Sequence, residues 1–219
     1  MTTPALRTKS RILDAAEQLF GDQGVPSTSI RAVTTQAGVN VAAVHYHFGS
    51  KEALLRALVA RRAAPLNQER LRLLREAEES WQRDESPPIE RFVRAFLRPV
   101  FEGAQSDPQV RRIAMILHSE PLEVVRPLVI DVFGEVATRF MTVLTRALPH
   151  LHRSEVALRF QFAIAVMANV VAGRARTDLF PGNWGPVPAD HDLLAEIVAF
   201  VTAGLLAPST HPKTERPTP

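Results

Sequence analysis

The sequence predicts an all-α protein, with a small N-terminal three-helix unit followed by a larger helical region. Three observations carry this. Apolar residues recur with a 3.6-residue period throughout the 219-residue chain, which is the spacing of one helix face. No stretch of alternating β-branched and polar residues, the mark of a half-buried strand, competes with that period. Glycines, prolines and capping residues interrupt the pattern where helices would start and stop.

The elements follow in order. Ile12, Leu13, Ala16, Leu19 and Phe20 share the face of a first helix from about residue 10, stopped by Gly21 and Gly24. Ile30, Val33 and Ala37 mark a short second helix over 29–37, with Ser27, Thr28 or Ser29 placed to cap it. Gly38 permits the left-handed residue that ends a helix. Asn40 can cap a third helix over 41–48, and Gly49 breaks it. Ser50 caps a fourth, which contains Leu54, Leu55 and Leu58 and runs to about Trp81 with a kink expected at Pro65.

Residues 82–88 read as a polar loop. Pro88 suits the start of a helix whose apolar face is Ile89, Phe92, Val93, Phe96, Leu97 and Val100. Asp107 and Pro108 form a cap and first turn for a helix to about His118. Residues 121–148 are helical, with a break expected at Pro127. Ser154 is expected to open a helix to about Ala172. The Gly- and Pro-rich segment 177–189 reads as a loop, and a last helix covers about 190–206. Residues 208–219 hold four prolines and are expected to be disordered. The organisation predicted is 8–52, 53–207 and the tail 208–219.

Composition narrows the function classes. Hydrophobic residues make up 46% and charged residues 22%, enough for a sizeable core and unlike a disordered chain. The net charge is only +3, but it is unevenly placed. Residues 1–62 hold eight basic groups (Arg7, Lys9, Arg11, Arg31, Lys51, Arg56, Arg61, Arg62) against four acidic ones (Asp14, Glu17, Asp22, Glu52). A locally basic unit suits a phosphate-rich partner. Without cysteine, disulfides, thiolate metal sites and cysteine nucleophiles are excluded. His45/His47 and His150/His152 are two apart and would point in different directions on a helix. No His-Glu-x-x-His, Gly-rich phosphate loop or Gly-x-Ser-x-Gly occurs, so neither an enzyme nor a cofactor or metal is expected. No uninterrupted apolar run reaches membrane-spanning length and the first ten residues lack a signal-peptide pattern, so the expectation is a cytoplasmic protein with no membrane partner.

Two short helices joined by a tight glycine-containing turn form a helix-turn-helix. Val33, Ala37, Val39 and Val44 have the size and spacing to lock such a pair. The residues beyond it sharpen the reading. Thr28-Ser29, Ala37-Gly38-Val39, Tyr46-His47-Phe48, Ser50-Lys51-Glu52 and Leu54-Leu55 together resemble the N-terminal signature of the TetR/AcrR family of transcriptional regulators, over residues 10–60. The run Asn40-Val41-Ala42-Ala43-Val44, with Pro65-Leu66-Asn67 soon after, is similar to a fatty-acid-responsive, PsrA-like subgroup of that family. The resemblance implies an all-α homodimer in which a C-terminal region binds a ligand and dimerises. The function implied is that of a ligand-responsive regulator that grips a palindromic double-stranded DNA operator and is released by a small lipophilic effector.

Carried over position by position, the implied DNA contacts are Thr28, Ser29 and Arg31 at the second helix, and Asn40, Val41, Ala42 and Ala43 at the start of the third. His45, Tyr46 and His47 follow, then Lys51 at the start of the fourth helix. This sequence departs from the family in having Ala42-Ala43 for Gly-Thr and His45 for Tyr. Two alanines can read bases only through apolar contacts such as thymine methyls. Tyr46 serves either as a phosphate clamp or as packing against the first helix, and His47 either contacts phosphate or caps its own helix. In the C-terminal region the candidate ligand-lining residues are Phe92, Phe96, Met115, His118, Phe133, Phe162 and Met167, for each of which plain core is the competing reading. Small residues such as Ala163, Ala165, Ala168, Ala199, Ala203 and Gly204 nominate the helices near 154–172 and 190–206 as the dimer interface. The alternative to a regulator is a helical interaction module, or a small-molecule-binding protein without specific DNA binding.

Overall fold

A computed structural model describes residues 4–82, 86–173 and 192–210, with the side chains of 118 and 119 outside the description. The described residues form helices joined by short connections, with no strand among them. In chain order the helices are α1 (Pro4–Gln23), α2 (Ile30–Ala37), α3 (Val41–Phe48), α4 (Lys51–Trp81), α5 (Ile89–Ser106), α6 (Pro108–Ser119), α7 (Leu122–Ala147), α8 (Arg153–Val171) and α9 (Leu193–Leu206).

Two apolar cores organise them. The first joins Ile12, Ala16 and Phe20 of α1, Val33 of α2, Val44 of α3 and Leu54, Leu55 and Leu58 of α4. It also takes Ile113 and Ile116 from α6 and Leu128 from α7, so the N-terminal unit is seated on the larger region. The second core is built on the predicted face of α5, with Phe140 of α7, Phe160 of α8 and Val198 and Val201 of α9. Its centre is aromatic: the Phe96 ring lies 5.1 Å from Phe140 and 4.9 Å from Phe160, both edge-on, the arrangement the ring quadrupoles favour. Helix α4 contributes to both cores, so the expected boundary at residue 53 falls inside a continuous helix.

Several sequence expectations are revised. Helix α1 starts at Pro4 rather than near residue 10 and passes through Gly21. A Cβ on Gly21 would crowd the Arg112 side chain, which passes over it to reach Asp22 at 3.0 Å. Gly24, at φ +80°, is the residue that follows the helix end. Helix α7 is continuous through Pro127. A proline there forfeits its own N–H bond and crowds the carbonyl one turn back, and the helix resumes beyond it. Helix α8 begins at Arg153, capped by His152 rather than Ser154, because the His152 ring nitrogen accepts from the Ser154 N–H at 3.3 Å. By length and composition α8 could cross a membrane. It packs into the second core through Val156, Phe160, Ala163 and Val171.

The tail is ordered at its start. Ser209 Oγ donates to Glu155 at 2.7 Å, the Thr210 N–H donates to the same carboxylate at 3.1 Å, and Arg159 donates to the Pro208 carbonyl at 2.7 Å. Ser209, the largest contributor, Thr210 and the Arg159 guanidinium bonded to Glu155 hold that carboxyl below its ordinary pKa. The expected 177–189 loop and the rest of the tail lie outside the described residues.

Candidate nucleic-acid interface

The turn between α2 and α3 is fixed by three local devices. Ser29 caps α2 by accepting from the Ala32 N–H at 3.1 Å. Gly38 takes φ +63°, and its N–H closes on Thr35 at 3.1 Å. Asn40 caps α3 by accepting from the Ala43 N–H at 2.9 Å. Caps of this kind contribute about 1 kcal/mol each. A fourth device was not foreseen: Arg11 of α1 donates to the Gly38 carbonyl at 3.1 Å, and a Cβ on residue 38 would meet that guanidinium at 2.6 Å. Glycine is favoured here by its backbone angle, while the flexible Arg11 side chain could move aside for a Cβ.

Helix α3 buries Val44 and shows the rest of its surface. Val41, Ala42, His45 and Tyr46 are exposed, Ala43, His47 and Phe48 half-buried. Tyr46 is 84% exposed, which removes the reading that it packs against α1. Its ring meets His47 edge-on at 5.0 Å. An aromatic side chain held this far into water gains nothing for the fold and is available to a partner. His45 Nδ1 lies 3.0 Å from the Gly49 carbonyl. A carbonyl only accepts, so Nδ1 donates and Nε2 is left to face a partner. His45 thus presents one ring nitrogen to a base edge or a phosphate.

Ser29 and Arg31 are exposed at the start of α2, where first-turn amides lack intrahelical acceptors and favour phosphate. Thr28, by contrast, is buried, its hydroxyl donating to the Gly24 carbonyl at 2.8 Å. It shapes the loop rather than facing outward. Lys51 is half-buried with Nζ 3.4 Å from the Pro26 carbonyl, and Ser50 caps α4 by accepting from the Ala53 N–H at 3.1 Å. Lys9 of α1 lies over the Phe48 ring at 5.8 Å, which brings a further cation beside the end of α3.

The charge balance of this face is set from behind. Neither α2 nor α3 contains a carboxylate. Of the four acids in residues 1–62, three are engaged elsewhere: Asp22 with Arg112, Asp14 with Arg61 at 2.7 Å, and Glu17 with both Arg61 and Arg62 at 2.7 and 2.6 Å. Glu17 is buried, and Arg62 continues to Asp107, the α6 cap, at 3.0 Å. The chain α1–α4–α6 is thereby tied through two carboxylates, Glu17 and Asp107, and two guanidinium groups. Glu120 accepts from the Val25 N–H at 3.3 Å, a second tie between the end of α6 and the α1–α2 loop.

The C-terminal candidates do not form one group. Phe92, Phe96 and Met167 belong to the second core. Phe133 packs in the first core instead. Met115 and Phe162 are exposed, at 45% and 57%. His118 lies within α6, with its side chain outside the description. The free space among Phe92, Phe96, Phe140 and Phe160 is only about 10 Å³. Sequence reasoning missed Arg70 of α4, which is buried at the edge of this cluster. In the string Gln68-Glu69-Arg70-Leu71 it reads as a solvated helix charge.

Comparisons with known proteins agree with this geometry. The family model described as bacterial regulatory proteins, tetR family, matches residues 12–58, and a tetracyclin repressor-like C-terminal domain matches residues 94–204. The chain is 42% identical over 62 residues to the HTH-type transcriptional regulator TtgW of Pseudomonas putida, a match covering 28% of this chain and 46% of that protein. It is 28% identical over 210 residues to the "Probable HTH-type transcriptional regulator ArpR" of Pseudomonas putida, covering 92% of this chain and 91% of that one. The chain thus spans about half the length of the first relative and nearly all of the second. Among solved structures, the transcriptional regulator FadR of Bacillus subtilis in complex with stearoyl-CoA is similar in fold, with a TM-score of 0.60 at 16% identity, covering 89% of this chain and 98% of that one.

Proposed function

The chain belongs to the TetR family of bacterial regulators, and from that premise we propose that it is a dimeric, cytoplasmic repressor that grips a palindromic DNA operator and is released by a lipophilic small molecule. The observation that carries this is the exposed α3 surface, where Tyr46, His45, Val41 and Ala42 stand in solvent above a core closed by Val44. Helix α3 is the reading helix. Val41 and Ala42 offer apolar contacts to base edges, His45 offers one ring nitrogen, and Ser29, Arg31, Tyr46, His47 and Lys51 hold the phosphates on either side. We assign the protein no catalytic role.

One helix of eight residues reads few base pairs, so two copies related by a two-fold axis supply two half-sites. The surface for that pairing is the outer face of α8 and α9. Leu158, Phe162, Phe200 and Leu206 are each more than half exposed in the single chain. An apolar face of this kind is costly in water and marks an interface. Phe162 therefore serves the dimer rather than a ligand cavity. The relative crystallised with stearoyl-CoA supports a lipophilic effector class for this fold.

The test is binding of purified protein to the region upstream of its own gene, against an unrelated duplex, at two salt concentrations. Selective binding that falls on the order of a thousandfold between roughly 50 and 200 mM salt is expected, because phosphate contacts release counterions. Equal affinity for both duplexes would leave the rival reading, a small-molecule-binding helical protein without specific DNA recognition.

A further inference from the structure

Arg70 has no use in DNA binding, and its surroundings are unusual for a cation. It is 3% exposed and sits on α4 against the second core. Its Nε donates to the Phe96 carbonyl at 2.8 Å, Nη1 reaches Asn67 Oδ1 at 3.4 Å, and Nη2 meets the Met167 thioether at 3.2 Å. The guanidinium stacks on the Phe96 ring at 4.3 Å. Among the described residues no carboxylate lies within ion-pair distance of it, although α4 carries other arginines that are paired, such as Arg72 with Glu69 and Glu76. A buried cation is ordinarily neutralised by a partner, because desolvation is costly. Here burial alone pushes the guanidinium down to about 9, so it remains charged at neutral pH.

We propose that Arg70 is the anchor for the head group of the effector, and that the effector is a lipophilic monoanion: a carboxylate on an apolar body. The inference rests on the regulator reading above for the existence of an effector and names its chemical class. The forked guanidinium matches a carboxylate in two parallel bonds. Asn67 sets the fork in place, since its Nδ2 donates to the Val132 carbonyl of α7 at 2.9 Å while its Oδ1 faces Arg70. The Met167 thioether is the replaceable partner. It is a weak acceptor on a flexible side chain, half-buried on α8, and its rotation opens a path between α4 and α8. The apolar body then enters beside Phe96, Phe140 and Phe160 by displacing side chains, because only about 10 Å³ is free there.

The test compares carboxylates with their alcohols. Laurate and 1-dodecanol form one pair, biphenyl-4-carboxylate and biphenyl-4-methanol another. Affinities for the full chain are measured by titration calorimetry below micellar concentrations, with operator binding of the same wild-type preparation recorded in parallel. In at least one pair the carboxylate binds about tenfold or more tightly than the alcohol, the difference a charge-assisted bidentate pair provides. Arg70→Met brings the two members of that pair within about twofold of each other, whereas Arg72→Met, on the exposed side of the same helix, keeps the preference. Where Arg70→Met does not fold, Arg70→Gln replaces it, with the same expectation. Alcohols binding as well as carboxylates in both pairs, or a preference surviving the loss of Arg70, overturns the proposal. Specific DNA binding without any carboxylate preference defeats this inference alone. A carboxylate preference in a protein that ignores its upstream DNA sustains Arg70 as an anion site and defeats the regulator reading.

Discussion

The N-terminal helices leave the side chains assigned to DNA in water, while the C-terminal bundle encloses the one assigned to a ligand. Tyr46 stands 84% exposed above a core of Val33 and Val44, both fully buried. Arg70 is enclosed among Phe96, Asn67 and Met167. A surface that meets a polyanion needs no preparation beyond exposure and charge, since the partner brings the field. A pocket for a small lipophilic anion must supply the counter-charge itself, in a dry place where it is strong. The two regions therefore carry opposite relations between function and stability.

The largest expected effect falls on the joint between the regions. Glu17→Ala leaves Arg61 and Arg62 without the carboxylate they share, and costs about 2 kcal/mol by chemical denaturation. That figure lies below the roughly 3–5 kcal/mol of a fully buried broken pair because the two arginine side chains are about a quarter exposed. A loss below about 0.5 kcal/mol would mean that the α1–α4–α6 tie is not a stabilising contact. On the DNA side, Tyr46→Ala weakens operator binding about tenfold, near 1.4 kcal/mol. Stability stays within about 0.5 kcal/mol, as for other exposed positions. A fall in melting temperature with unchanged DNA affinity would reverse the role assigned to Tyr46. On the ligand side, Arg70→Met gives a chain about 1 kcal/mol more stable in the absence of effector, because a buried charge with no carboxylate partner among the described residues is replaced by an apolar side chain. A destabilised variant would mark Arg70 as a structural brace.

What could be read from the sequence divides along the same line. Gly38, Asn40 and Ser50 were legible because caps and left-handed turns depend on a few neighbouring residues. The candidate DNA contacts came from the family resemblance, and the structure leaves all of them at least partly exposed except Thr28. Its hydroxyl is used by Leu19 and Gly24, at 3.3 and 2.8 Å, a loop closure that no spacing announces. The ligand residues were nominated by type alone, and type does not say which way a helix faces. Phe162 and Met115 therefore proved exposed, and Phe133 joined the other core. Arg11, Glu17 and Arg70 were not recognised because each engages partners that lie 26 to 97 residues away in the chain. In a helical sequence each reads as an ordinary surface charge.

The proposed function rests on α3 as a reading element repeated about a two-fold axis. Selection of bound sequences from a random duplex library, with wild type and Tyr46→Ala side by side, tests it most directly. The wild type is predicted to enrich one inverted repeat whose half-sites are centred about one helical turn, or a multiple of it, apart, and Tyr46→Ala to enrich it more weakly. Enrichment of no common sequence, or of a site without two-fold symmetry, would contradict the account.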